Sequence, residues 1–175
     1  MTNKDIKVLL VEDHMMIRMG TALVIEKTEG ITLVGEAEDG QQGVEMAKEL
    51  LPDVILMDIG LPVIDGIEAT RRIKELNLDS KILIFTSRDN DDDVFAALAA
   101  GADGYIMKGA TAQQLTAALT AVNEGTAWLD PAIARLVLSN VQKQKSEEAT
   151  TDSINYKAGK NTFGLTEREM EVLAL

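Results

Sequence analysis

Five short, nearly unbroken apolar runs divide the chain at regular intervals: Val8–Val11, Ile31–Val34, Val54–Met57, Ile82–Phe85 and Tyr105–Met107. Runs of this length without polar alternation are expected of strands buried on both faces. Between them lie longer stretches with helical spacing. Met16, Met19, Leu23 and Val24 lead one; Val44, Met46, Ala47 and Leu50 the next. Ile67, Ile73 and Leu76 follow, then Val94, Leu98 and Ala99, and last Leu115, Ala118, Leu119 and Val122. Strand and helix in strict alternation predict an α/β fold with a parallel sheet covered on both sides. Five repeats fit the flavodoxin-like doubly wound sheet of order 2-1-3-4-5.

Such a sheet places ligands beyond the carboxyl ends of its strands, where strand order reverses. Here that point lies between the first and third runs. The first ends in Glu12-Asp13 and the third in Asp58; the fourth ends in Thr86-Ser87 and the fifth in Lys108. Three carboxylates are thereby expected in one crevice, where they raise one another's pKa unless a cation intervenes. Only oxygen ligands are on offer, which favours Mg²⁺ over zinc or copper. A carboxylate not engaged by the metal can act as a nucleophile towards phosphorus. Phosphoryl transfer demands positioning and charge neutralisation more than acid–base chemistry. Mg²⁺ and the Lys108 ammonium would neutralise charge, and the Thr86 hydroxyl could donate to a phosphoryl oxygen.

Glu12-Asp13, Met57-Asp58-Ile59-Gly60-Leu61-Pro62, Thr86 and Gly101-Ala102-Asp103-Gly104-Tyr105-Ile106-Met107-Lys108 together resemble the response-regulator receiver domain, over roughly residues 4–125. The resemblance implies a CheY-like fold with separate jobs for these residues. Asp58 would be the phosphoacceptor. Glu12, Asp13, Asp58 and the Gly60 backbone carbonyl would hold Mg²⁺, while Thr86 and Lys108 would bind the phosphoryl group. Thr86 and Tyr105 would form the switch. Gly109 stands where many receivers carry proline, which removes the expectation of a cis-proline peptide there.

The remainder of the chain is read separately: residues 1–125 as the receiver, 126–164 as a helix and polar linker, and 165–175 as the start of another domain. In Trp128-Leu129-Asp130-Pro131, Asp130 is placed to cap a helix with Pro131 at its first position. Ile133, Leu136, Val137 and Val141 supply an apolar face. Residues 142–160 are polar and read as a solvated linker, disordered or weakly helical. Thr166 and Glu169 form a capping box, flanked by Leu165 and Met170 as a staple. This stretch is similar to the opening helix of the helix-turn-helix domain in NarL/FixJ-type regulators, the LuxR-like class. The helix that would enter the DNA major groove is expected beyond Leu175.

The resemblance implies a two-component phosphorelay protein. Its partners would be a sensor histidine kinase or a small phosphodonor, DNA only through the C-terminal domain of the full regulator, and a second copy as homodimer, since such proteins read paired half-sites. The alternative is a stand-alone receiver signalling through protein contacts, which would have no use for the capping box at Thr166. No turnover enzyme is expected beyond slow self-dephosphorylation. An aspartyl phosphatase of the haloacid-dehalogenase pattern wants a second aspartate where Gly60 stands, and no dinucleotide or P-loop motif occurs. The net charge of −12 argues against direct nucleic-acid binding by these residues. Absence of cysteine and of a long apolar leader suits a cytoplasmic protein with no membrane partner.

Three further features read plainly. His14 belongs at a helix start beside the acidic pair. The Asp89–Asp93 run lacks the glycine and glutamate of a calcium loop and reads as capping acids at a helix N-terminus. Met15, Met16 and Met19 read as core filling.

Overall fold

The computed structural model describes residues 3–150. Strands and helices alternate along the chain: β1 (Ile6–Val11), α1 (Met15–Glu26), β2 (Ile31–Ala37), α2 (Gly40–Leu50), β3 (Val54–Met57), α3 (Gly66–Glu75), β4 (Lys81–Thr86), α4 (Asp91–Ala99), β5 (Gly104–Met107), α5 (Ala112–Asn123) and β6 (Trp128–Leu129). Residues 131–150 are helical. The chain divides into two compact units, residues 1–134 and 135–175.

All strand pairs are parallel, in the order β2-β1-β3-β4-β5-β6. The five predicted runs occupy the predicted order. The sixth strand corrects the expectation of five: Trp128 and Leu129, read as part of a helical extension, pair with Gly104 and Tyr105. Two residues carry no periodicity, so only the neighbouring edge of β5 makes them a strand.

Alternate residues of each strand feed opposite layers. Val8, Leu10, Val54, Leu56, Leu83, Phe85 and Ile106 pack with Ala22 and Ile25 of α1 and with Leu115, Ala118, Leu119 and Val122 of α5. Leu9, Val11, Ile55, Met57, Ile82, Ile84 and Tyr105 alternate with them and are equally buried. On that side, a Cβ added at Gly43 of α2 would lie 3.1 Å from Val11. Each large apolar side chain so buried contributes about 1.5–3 kcal/mol.

Helix starts follow their capping residues. Asp39, Asp65, Asn90 and Thr111 each accept a bond from the backbone N–H three residues on, and Thr111 with Gln114 closes a capping box. Asp91, Asp92 and Asp93 fill the first turn of α4, as expected of acids at the positive end of a helix dipole. Asp130 accepts from the N–H of Met107 at 2.7 Å and from Trp128 Nε1 at 3.3 Å, so it ties the start of the last helix to the end of β5.

The α1 methionines are a correction. Met15, Met16 and Met19 are 59%, 67% and 59% exposed, and Leu23 is 50% exposed. The sheet takes Thr21, Ala22 and Ile25 instead. Because α1 is apolar nearly all round, periodicity could not choose the face. The polar stretch from 142 is helical as far as 150, and the capping box at Thr166 lies outside the described residues.

Candidate functional site

The polar residues that end β1, β3, β4 and β5 converge at one edge of the sheet. Glu12 follows β1 and is 1% exposed; Asp58 follows β3 and is 7% exposed; Thr86 closes β4, fully buried. Asp13 is exposed beside them. One ligand oxygen each from Glu12, Asp13 and Asp58 can be chosen so that all lie within 4.8 Å of one another. The backbone secures the arrangement: the N–H of Asp58 bonds the Val11 carbonyl at 3.1 Å, and the N–H of Glu12 bonds that of Ala37 at 3.0 Å.

Lys108, just past β5, reaches across this cluster. Its Nζ lies 2.7 Å from Glu12 Oε2 and 3.0 Å from Asp58 Oδ2. Only the contact with Asp58 has hydrogen-bond geometry; Glu12 Oε2 is buried and ion-paired without a properly directed donor. Its other oxygen accepts from the His14 N–H at 3.0 Å, and Asp58 Oδ1 accepts from the Ile59 N–H at 2.8 Å. Burial raises the pKa of Glu12, and the opposing pull of Lys108 and the His14 N–H does not cancel it. Burial also works against the charge on Lys108, yet the combined pull of the Glu12 and Asp58 carboxylates outweighs it and raises its pKa. A single ammonium thus faces three carboxylates. An all-oxygen donor set, a surplus of negative charge and a buried oxygen lacking a directed donor fit a hard divalent cation.

The β3–α3 loop packs tightly against the site. A Cβ on Gly66 would fall 1.8 Å from the Asp58 carbonyl oxygen, so only glycine lets α3 start there. Val63, 76% exposed, holds a φ of 70°, a strained conformation for a β-branched residue. Gly60 lies in this loop, open to solvent, with the Arg88 guanidinium about 3.3 Å from where its Cβ would be. On the opposite wall, the Thr86 hydroxyl accepts from the Arg88 N–H at 3.2 Å. The carbonyl of the same residue accepts the Tyr105 hydroxyl. Tyr105 is fully buried, and burial, followed by Asp93 and Asp89, pushes its pKa up. Thr86 and Tyr105 are therefore linked through the backbone of a single residue, Arg88, in the β4–α4 loop.

His14 sits at the N-cap of α1 and makes no side-chain cap, as read from its position. Two participants escaped the sequence reading. Arg18 sends its guanidinium back to the Glu12 and Asp13 carbonyls. Its one signal is that it is the lone basic residue of a largely apolar helix. Arg88, by contrast, has no mark in the sequence.

Fold and site define a doubly wound signalling-type domain with an acidic pocket at its topological switch point. The description "Response regulator receiver domain" matches residues 8–120. The chain is 39% identical over 170 residues to the transcriptional regulatory protein LiaR of Bacillus subtilis, covering 97% of this chain and 75% of that one. It is 34% identical over 168 residues to the nitrate/nitrite response regulator protein NarL of Escherichia coli, covering 96% and 73%. Among solved structures, a LuxR-family two-component response regulator from an Aurantimonas species superposes with a TM-score of 0.74 at 34% identity, covering 78% of this chain and 98% of that one. The chain belongs to the response regulators of two-component systems, in their NarL/LuxR-type branch. Among the described residues no helix is long and apolar enough to cross a membrane.

Proposed function

We propose that Asp58 accepts a phosphoryl group, and that this modification controls the output of a two-component transcription regulator. The observation that carries the reading is the convergence of the Glu12, Asp13 and Asp58 carboxylates, with Lys108 ion-paired to two of them, in a family whose members receive such signals. Glu12, Asp13, Asp58 and the Gly60 carbonyl would hold Mg²⁺. When bound, it would neutralise charge that three carboxylates and a phosphoryl group cannot otherwise share.

The chain's own groups do the rest. Asp58 Oδ attacks the phosphorus of a phosphohistidine on a sensor kinase or of a small acyl phosphate. An O–P bond forms, the bond to the leaving group breaks with its electron pair, and solvent supplies any proton the leaving group takes. No proton leaves Asp58, so no general base is required. Lys108 gives up its ion pair with Asp58 for the incoming oxygens, and Thr86 turns its hydroxyl towards them. Because Arg88 ties Thr86 to Tyr105, that turn would loosen the Tyr105 anchor and carry the change to the β4–α4 surface. Turnover is limited to slow self-dephosphorylation. Readout on DNA falls to a C-terminal domain, with a homodimer on paired half-sites.

Incubation with Mg²⁺ and acetyl phosphate should add one phosphoryl group by intact mass, and Asp58→Asn should add none. An equal adduct on Asp58→Asn sinks the assignment.

A further inference from the structure

We propose that Arg18 is a positioning residue for the metal-binding pair, acting on Asp13 through the main chain. The inference rests on the Mg²⁺ reading above. Arg18 Nη1 donates to the Glu12 carbonyl at 2.8 Å and to the Asp13 carbonyl at 3.4 Å. Its Nη2 donates to Glu38 at 3.0 Å, and its Nε lies 3.9 Å from Glu36. The side chain is only 13% exposed. Its own backbone is fixed in the first turn of α1, where its N–H bonds the His14 carbonyl at 2.9 Å.

The geometry matters because a peptide unit is planar. Holding the Glu12 carbonyl fixes the plane before Asp13, and holding the Asp13 carbonyl fixes the plane after it. Between them the φ and ψ of Asp13 are pinned, and with them the direction of its Cβ. Glu12 has no such need, being buried and held by the His14 N–H. Asp13 is exposed, and its backbone is the handle by which it can be aimed. Glu36 and Glu38 flank Ala37, which bonds Glu12 from β2, so the same guanidinium joins the ends of both strands.

Two other roles would leave different marks. A plain clasp between helix and strand would support the fold and leave metal affinity alone. A positive charge near the carboxylates would oppose the metal, so its loss would tighten binding. Mg²⁺ titration of the whole chain by calorimetry, after chelator treatment, separates the three, with metal-free melting measured alongside. Arg18→Ala is expected to bind Mg²⁺ about tenfold more weakly, the lower range for loss of a group supporting a metal ligand. Arg18→Lys keeps the charge but loses the rigid planar guanidinium that aims Nη1 at both carbonyls, and should fall between the two. Glu38→Gln leaves both carbonyl bonds in place and should bind close to wild type. Unchanged or tighter affinity in Arg18→Ala overturns the proposal. If that variant does not fold, wild-type affinity in Arg18→Lys overturns it equally. A wild-type chain that fails to bind Mg²⁺ overturns the metal reading itself, and the inference with it.

Discussion

Two clusters in this molecule are built from the same ingredients and behave in opposite ways. On α3, Glu68 bonds Arg71 and Arg72, and Arg71 also bonds Glu75. In the crevice, Lys108 bridges Glu12 and Asp58, with Asp13 beside them. The bonds from Arg71 and Arg72 hold the Glu68 carboxyl down at about 2. Burial pushes the Glu12 carboxyl up despite its lysine partner. The α3 cluster is solvated and balanced, two guanidiniums against two carboxylates. The crevice is buried and one-sided. An ion pair becomes a candidate site when its surroundings leave charge unanswered, because only then can an arriving cation lower the energy.

Removing the cation from each cluster should give the widest gap. Lys108→Ala leaves Glu12 and Asp58 facing each other with little solvent around them. In chelator it should lose about 2–3 kcal/mol by denaturant melt, somewhat below the cost of breaking a fully buried pair because Lys108 keeps some solvent contact. Arg71→Ala on the solvent face of α3 should hardly move the midpoint. Equal losses would break the contrast. Mg²⁺ sharpens it: the metal should raise the melting temperature of wild type through ligand linkage, and that of Lys108→Ala by more, since no ammonium competes for the carboxylates. A midpoint indifferent to millimolar Mg²⁺ in both would remove the cation site.

How far the crevice was legible follows from what kind of information places each residue. Glu12, Asp58, Thr86 and Lys108 each end an apolar run, so the strand pattern alone carried them to one edge of the sheet. The core-facing side of α1 was not legible. Met15, Met16 and Met19 match a helical stripe as well as Thr21, Ala22 and Ile25 do, and only the sheet's position separates them. Arg18 was hidden for another reason: its partners are carbonyls, which every residue has. Asp130 was read as a cap and does stand directly before the last helix, but its carboxylate bonds the Met107 N–H and Trp128 Nε1, partners that needed the sixth strand, which exists only through its neighbour.

The pH response should separate the clusters by sign. Glu12 has its folded pKa above the ordinary 4.5, so the native chain holds this proton more tightly than the unfolded chain. Metal-free stability from this group therefore falls as pH rises from about 4.5 through the raised folded value. Glu12→Gln should flatten that slope. Mg²⁺ should abolish it in wild type, because a metal favours the ionised form. A slope that survives Glu12→Gln unchanged must come from elsewhere.

The smallest effect belongs to Glu68, and it runs the other way. Its pKa is depressed from 4.5 to about 2, so its contribution is fully present above the ordinary value and is lost as pH falls towards about 2. Exposure and salt screening keep it small. Glu68→Gln should slightly reduce stability at neutral pH and leave the region near pH 2 unchanged, with the difference fading at high salt. Urea melts of both chains at two pH values and two salt concentrations test this. A salt-independent loss would mean that the side chain acts by packing rather than charge. A loss as large as that of Lys108→Ala would mean that balance between charges, and not their burial, decides how strongly a cluster supports this fold.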